Sequence, residues 1–168
     1  MEIRYTLDYY KAEKHSAISL LILAFLAVGI AYTIFNSMSH GIVYGFSYGL
    51  LALSILQMIS ALMVWVKSTI KERKLMSGKL NKHDLESEYL LIKKKVARYP
   101  KIRAVQEVFF GLSFIIIFLG MAEVINPIKM GIGLALILTM TIWIVTDLFA
   151  QRRAEEYGRF LRRMITEN

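Results

Sequence analysis

The sequence predicts an all-α membrane protein, with four transmembrane helices in two hairpins and amphipathic helical extensions on the cytoplasmic side. Hydrophobic residues make up 56% of the 168-residue chain, above the roughly 45–50% typical of soluble domains. The 51 residues from Ser16 to Val66 contain no Asp, Glu, Lys or Arg. A soluble domain of this length has too small a core to bury such a stretch, whereas a bilayer covers it. Backbone groups in hydrocarbon must bond internally, so these stretches are predicted to form helices.

Four apolar stretches are each long enough to cross about 30 Å of hydrocarbon, which takes roughly 20 helical residues. They are residues 17–35, 42–66, 104–122 and 128–150. Residues with turn chemistry separate the members of each pair, from Asn36 to Gly41 in the first hairpin and at Asn126-Pro127 in the second. The chain is therefore interpreted as one polytopic membrane domain.

The orientation of the predicted spans follows from Lys and Arg, which concentrate on the cytoplasmic side of membrane proteins. Segments 1–16, 67–103 and 151–168 lie on one side of the predicted membrane and hold 20 of the 21 Lys and Arg residues. The opposite side has only Lys129. Both termini and the middle segment are therefore predicted to lie in the cytoplasm, with the spans in the cell (inner or cytoplasmic) membrane.

The cytoplasmic segment 67–103 is predicted to be helical rather than a loop, and it begins with a charged extension of the second helix over residues 67–76. After a predicted turn at Ser77-Gly78 and a helix cap at Asn81, apolar residues recur at spacings of four and three, the pattern of one helix face. These residues are Leu85, Tyr89, Ile92, Val96 and Tyr99. Pro100 is expected to break or kink the helix just before the third span.

The two terminal segments are patterned as well. The C-terminal segment 151–168 has an apolar stripe beside five arginines. The stripe consists of Tyr157, Phe160, Leu161 and Met164. The N-terminal segment 1–16 fits either a helix, with Ile3, Leu7 and Tyr10 on one face, or a strand, and the sequence leaves both open.

Two interpretations of these stripes stay open. In the first, the stripes pack against each other beneath the membrane, and the basic faces contact anionic lipid headgroups. In the second, the basic faces bind a soluble protein partner. The residues expected to make the contact are Lys93, Lys94, Lys95, Arg98, Arg152 and Arg153. The net charge of +8 is attributed to this cytoplasmic side, and no nucleic acid partner is expected.

Small residues recur every four positions at the outer end of the second span, at Gly41, Gly45 and Gly49, with Ala52 close to the same face. This spacing lets two helix backbones approach closely. One interpretation is packing within the chain against the first span, which offers small residues of its own. These are Ala24, Ala27 and Ala31. The alternative is a contact between copies of the chain in a homo-oligomer.

Three polar residues in or near the spans form a candidate polar or ion site. Gln57 lies centrally in the second span, and an amide in hydrocarbon needs a partner on another helix. Glu107 and Asp147 are expected near the cytoplasmic interface in neighbouring antiparallel helices. Interhelical hydrogen bonding and interfacial salt bridges are the simpler interpretation, and a cation or proton site is the alternative.

The sequence contains no pattern that predicts an enzyme, a cofactor or a metal site. It has no cysteine, which excludes disulfides and thiolate metal ligands. The motifs of intramembrane metalloproteases, P-loop enzymes and nucleophile-elbow hydrolases do not occur. The leading hypothesis is a non-enzymatic accessory, regulatory or immunity-type subunit that acts through its basic cytoplasmic helices. The alternative hypothesis is one protomer of an oligomeric channel or transporter for an ion or small solute.

The predicted orientation is testable because the chain has no cysteine of its own. In intact cells, Ser39→Cys is expected to react with an impermeant thiol reagent added outside, because the first hairpin turn faces out. Ser77→Cys is expected to react only after the cells are opened. The reverse labelling pattern would refute the orientation.

Overall fold

The computed structural model describes residues 2–37, 40–76 and 82–167, and this part of the chain contains four α-helices and no strand. The helices are α1 (Glu2–Ser37), α2 (Gly41–Met76), α3 (Lys82–Met121) and α4 (Pro127–Glu167). The predicted all-α class is confirmed, and the N-terminal segment is the beginning of α1 rather than a strand. The predicted turn at Ser77-Gly78 and the predicted cap at Asn81 lie outside the described residues.

The helices are longer than the predicted spans because span and extension form one continuous helix each. They contain 36, 36, 40 and 41 residues, or about 54 to 62 Å at 1.5 Å per residue, against roughly 30 Å of hydrocarbon. The hairpin turns directly adjoin the apolar stretches, so the excess length projects at the opposite end. We call this end the charged head; it comprises residues 2–16, 67–76, 82–103 and 151–167.

Pro100 lies inside α3, so the helix does not end there as one predicted alternative required. A proline removes one hydrogen bond from the helix ladder. Helix α4 contacts α3 on both sides of that position, through Gly158 beside Ile92 and through Gly133 beside Ile116. These contacts hold both halves of α3 against one partner.

Helices α2 and α4 form the centre of the bundle, with α1 packed on α2 and α3 packed on α4. The buried face of every helix repeats at seven residues. In α1 it includes Tyr10, Ala17, Ala24 and Ala31; in α2, Ser47, Ser54, Ala61 and Ser68; in α3, Ile92, Tyr99, Gln106 and Ser113; in α4, Gly133, Met140, Ala154 and Leu161. A seven-residue repeat is typical of helices that pack at a small crossing angle, and the small residues bring their backbones close together.

The glycine stripe of α2 packs against α4, which corrects the expectation that α1 would cover it. A Cβ atom at Gly45 would lie 1.8 Å from the Ile128 carbonyl oxygen, and one at Gly131 would lie 1.9 Å from the Ile42 carbonyl oxygen. The two helices therefore touch backbone to backbone, with a glycine supplied by each.

Ala52, the fourth residue of the predicted packing stripe, does not take part in this contact between α2 and α4. Its side chain is exposed. At about 100° per residue, Ala52 lies roughly 60° around α2 from Gly49, on the side away from the bundle. The alanines of α1 form a different contact: Ala31 packs with Leu50 of α2 and Ala135 of α4.

The apolar part of the bundle exposes large side chains on its outside. The exposed fractions reach 62% for Phe25, 61% for Val108 and 72% for Phe118. Soluble monomers rarely expose contiguous apolar patches larger than a few hundred Å². All four helices are long and apolar enough to cross a membrane, which fits a multi-pass membrane protein.

The glycine contact predicts a large difference between two equivalent substitutions. Gly45→Ala is expected to destabilise the protein by about 1–3 kcal/mol, because the new methyl group meets the backbone of α4. Gly29→Ala meets no atom within 4 Å and is expected to be neutral or to stabilise by up to about 1 kcal/mol through helix propensity. Thermal unfolding in detergent measures both; equal stability of the two variants would contradict the close contact.

Candidate functional site

Three tyrosines from two helices form the core of the charged head. Tyr9 and Tyr10 of α1 are 6% exposed and Tyr157 of α4 is 1% exposed. The Tyr9 and Tyr157 rings stack with centroids 4.2 Å apart, and the Tyr10 ring meets both edge-on. Ile92 of α3 and Leu161 of α4 complete this core. The predicted apolar stripes of the head therefore pack against one another.

Two largely buried carboxylates beside the tyrosines, Glu13 and Glu88, connect α1, α2 and α3. Glu13 accepts hydrogen bonds from the Tyr9 hydroxyl at 2.8 Å and from the Ser68 hydroxyl at 3.3 Å, and it forms an ion pair with Lys95. The Tyr9 bond lies within α1, whereas Ser68 belongs to α2 and Lys95 to α3, so this one carboxylate connects three helices.

Glu88 repeats this arrangement. It accepts a hydrogen bond from the Tyr10 hydroxyl and pairs with Lys71 at 2.5 Å. Only 12% of each of the Glu13 and Glu88 side chains is exposed. A buried charge is costly without a partner, so the two lysines neutralise the carboxylates and both phenols act as neutral donors. This part of the head is a structural network whose charges are satisfied internally.

The basic residues predicted to contact lipid or a partner fall on different faces of the head. Lys93, Lys94, Arg98 and Arg152 are exposed, whereas Arg153 is half-buried. Lys95 points inward to Glu13. Consecutive residues of a helix are about 100° apart, so the run at 93–95 cannot act as one patch.

A groove runs between α3 and α4 on the outside of the head; we call it the basic groove. Its floor is formed by Ile92 and Val96 of α3 and by Ala154 and Gly158 of α4. Its walls carry Lys93, Arg159, Arg162 and Glu155. The volume is about 490 Å³. A Cβ atom at Gly158 would lie 3.3 Å from the Ile92 side chain, so the glycine keeps the floor low.

A second cavity of about 750 Å³, which we call the central cleft, lies among all four helices between the middle of the apolar bundle and the charged head. Gln57 lines it and joins three helices: its amide nitrogen donates to the Leu20 carbonyl oxygen at 3.2 Å, and its carbonyl oxygen accepts from Trp143 Nε1 at 3.3 Å. These bonds are the interhelical contacts expected for an amide in hydrocarbon.

Asp147 also lines the central cleft, and its hydrogen-bond partner is Gln106, a residue that the predicted polar site did not include. The Gln106 amide nitrogen donates to Asp147 Oδ2 at 2.5 Å. Glu107 is exposed and lies outside the cleft. Gln106 and Glu107 are adjacent, so their side chains point about 100° apart around α3, and Gln106 is the one that faces α4. Arg103 donates to Gln151 of α4 at 2.6 Å, one turn closer to the head.

By fold, the chain is a four-helix bundle with the dimensions of a multi-pass membrane protein. No protein-family model matches the sequence, and no curated protein or solved structure matches it either. The candidate sites are therefore the ones that its own geometry defines, the basic groove and the central cleft.

Sequence reasoning missed several residues of these sites. The network around Glu13 and Glu88 was not foreseen, although Tyr9 and Glu13 are one helical turn apart and their bond was foreseeable on a helix. Gln106 was also missed. Its signal is the seven-residue repeat that it shares with Tyr99 and Ser113, both buried.

Proposed function

We propose that this protein is a non-enzymatic membrane subunit that binds a partner protein through the basic groove of its cytoplasmic head. The partner segment that fits is an acidic amphipathic helix. The observation that carries this proposal is the combination of an apolar floor with cationic walls on an exposed face. A basic patch without an apolar floor would favour lipid headgroups or solvent equally well.

The chemistry of the groove determines which partner fits. Ile92, Val96 and Gly158 offer apolar contact to one face of a helix. Lys93 and Arg162 lie on the two sides of that floor and would pair with carboxylates of the bound segment. Glu13 and Glu88 form ion pairs with Lys95 and Lys71, which lie outside the groove, so these two carboxylates do not neutralise Lys93 or Arg162.

We propose that the groove lies on the cytoplasmic side of the membrane. Four helices of membrane-spanning length and the concentration of 20 Lys and Arg residues at one end support the predicted topology. The partner would therefore be a cytoplasmic protein or the cytoplasmic domain of another membrane protein. Of the six basic residues predicted to contact lipid or a partner, Lys93 is the one that lines the groove.

Charge reversal within the groove tests the proposal. The protein is purified from its native membranes in mild detergent, and the mass of the intact complex shows whether a foreign chain is retained. Lys93→Glu with Arg162→Glu is expected to reduce retention at least about tenfold, because like charges then face the acidic segment. Raised salt is expected to weaken retention in the parent protein.

The matched control is Lys94→Glu with Arg163→Glu, which makes the same change in net charge one residue further along each helix. Both control residues are exposed and lie outside the groove. The control is expected to retain the partner. Equal loss in both double variants would show that total charge, not the groove, binds the partner, and retention by both would overturn the proposal.

A further inference from the structure

The central cleft changes from apolar to polar along its length. Toward the middle of the bundle its walls are Leu53, Phe109, Leu136 and Met140. Toward the charged head they include Lys101, Gln106, Thr146 and Asp147. When the head lies on one side of a bilayer, the apolar end of the cleft faces the bilayer centre and the polar end lies at the interface. A phospholipid in the adjacent leaflet has the same arrangement, with its tail inward and its headgroup at the interface. The volume of about 750 Å³ lies within the roughly 300–1,000 Å³ of ligand pockets.

Gln106, which lines this cleft, has one side-chain polar atom without a partner in the described part of the chain. Gln106 is 6% exposed, and its carbonyl oxygen is buried with no hydrogen bond among the described residues, while its amide nitrogen is used by Asp147. Buried polar groups are almost always hydrogen-bonded, so an unpaired acceptor calls for a donor from outside the chain.

The remaining polar groups at this end indicate what the donor belongs to. The hydroxyls of Ser60 and Thr146, two residues that line the cleft, donate to carbonyl oxygens of their own helices, so each oxygen keeps its capacity to accept a hydrogen bond. Asp147 adds a carboxylate. Lys101 supplies a cation at the mouth. The site thus presents several acceptors beside one cation, which complements a headgroup that carries N–H donors beside a phosphate.

From this arrangement we infer that the central cleft is a binding site for a phospholipid with a primary ammonium headgroup. The ammonium group donates to Gln106 and Asp147, and the phosphate pairs with Lys101. One acyl chain follows the apolar walls toward Leu136. The inference depends on the helices spanning a bilayer, and it is independent of partner binding at the basic groove.

Quenching of Trp143 by brominated acyl chains tests the inference, because Trp143 lines the cleft. The full chain with Trp65→Phe is reconstituted in mixed vesicles in which either phosphatidylethanolamine or phosphatidylcholine carries the bromine. The phosphatidylethanolamine is expected to quench at about threefold lower mole fraction, the size of one intramembrane hydrogen bond. Lipids with one and two N-methyl groups are expected to fall between. Equal quenching by all four lipids would overturn the inference, as would preferential quenching by brominated phosphatidylglycerol.

Three variants locate the preference. Gln106→Leu is expected to abolish it, and Glu107→Gln, on the adjacent exposed residue, is expected to keep it. A chain with Trp143→Phe reports through Trp65, which lies outside the cleft, and is expected to show no preference. A preference that survives Gln106→Leu, or that Trp65 also reports, would place the effect in bulk lipid and contradict the site. The methylation series needs no substitution in the cleft and decides the question if Gln106→Leu does not fold.

Discussion

The direct backbone contact between α2 and α4 is the constraint on which the rest of the structure depends. Lipid tails are as apolar as leucine, so burial from water cannot hold helices together in a membrane, and close packing must do so. Gly45 and Gly131 each remove a side chain at the point where the other helix's carbonyl group approaches. Small residues repeated every seven positions in α1 and α2 continue close packing along these two helices.

Both candidate sites follow from this central pair. Since α1 packs on α2 and α3 packs on α4, α3 and α2 stay apart where the apolar bundle meets the head, and the central cleft lies there. Beyond the cleft, the tyrosine core and the carboxylates Glu13 and Glu88 join the helices again. These contacts fix α3 and α4 in the head, where the exposed groove lies between them.

The apolar stretches were enough to predict four helices and their pairing into hairpins, because the bilayer imposes length and polarity on any chain. The apolar stripe of α3 that includes Ile92 and Tyr99 could also be predicted, from its helical spacing. The partner of Gly45 was not, since a glycine stripe specifies close approach but not which helix approaches. Which of Gln106 and Glu107 faces α4 depends on the rotation of α3 about its own axis. The continuation of α3 through Pro100 depends on the contacts of α3 with α4. Such details are decided by tertiary packing and cannot be predicted from local sequence patterns.

The contact between α2 and α4 is tested most directly by a disulfide in this cysteine-free chain. A Cβ atom at Gly49 would lie 2.9 Å from the Ala135 Cβ, below the roughly 3.5–4.5 Å of disulfides, so a small outward shift of one helix brings the two Cβ atoms into disulfide range. Gly49→Cys with Ala135→Cys, carrying a protease site between α2 and α3, is oxidised mildly in the membrane and then cleaved. We predict that the two halves stay joined as a monomer, whereas Gly29→Cys with Ala135→Cys separates. Separated halves, or a cross-linked dimer, would contradict the contact within one chain.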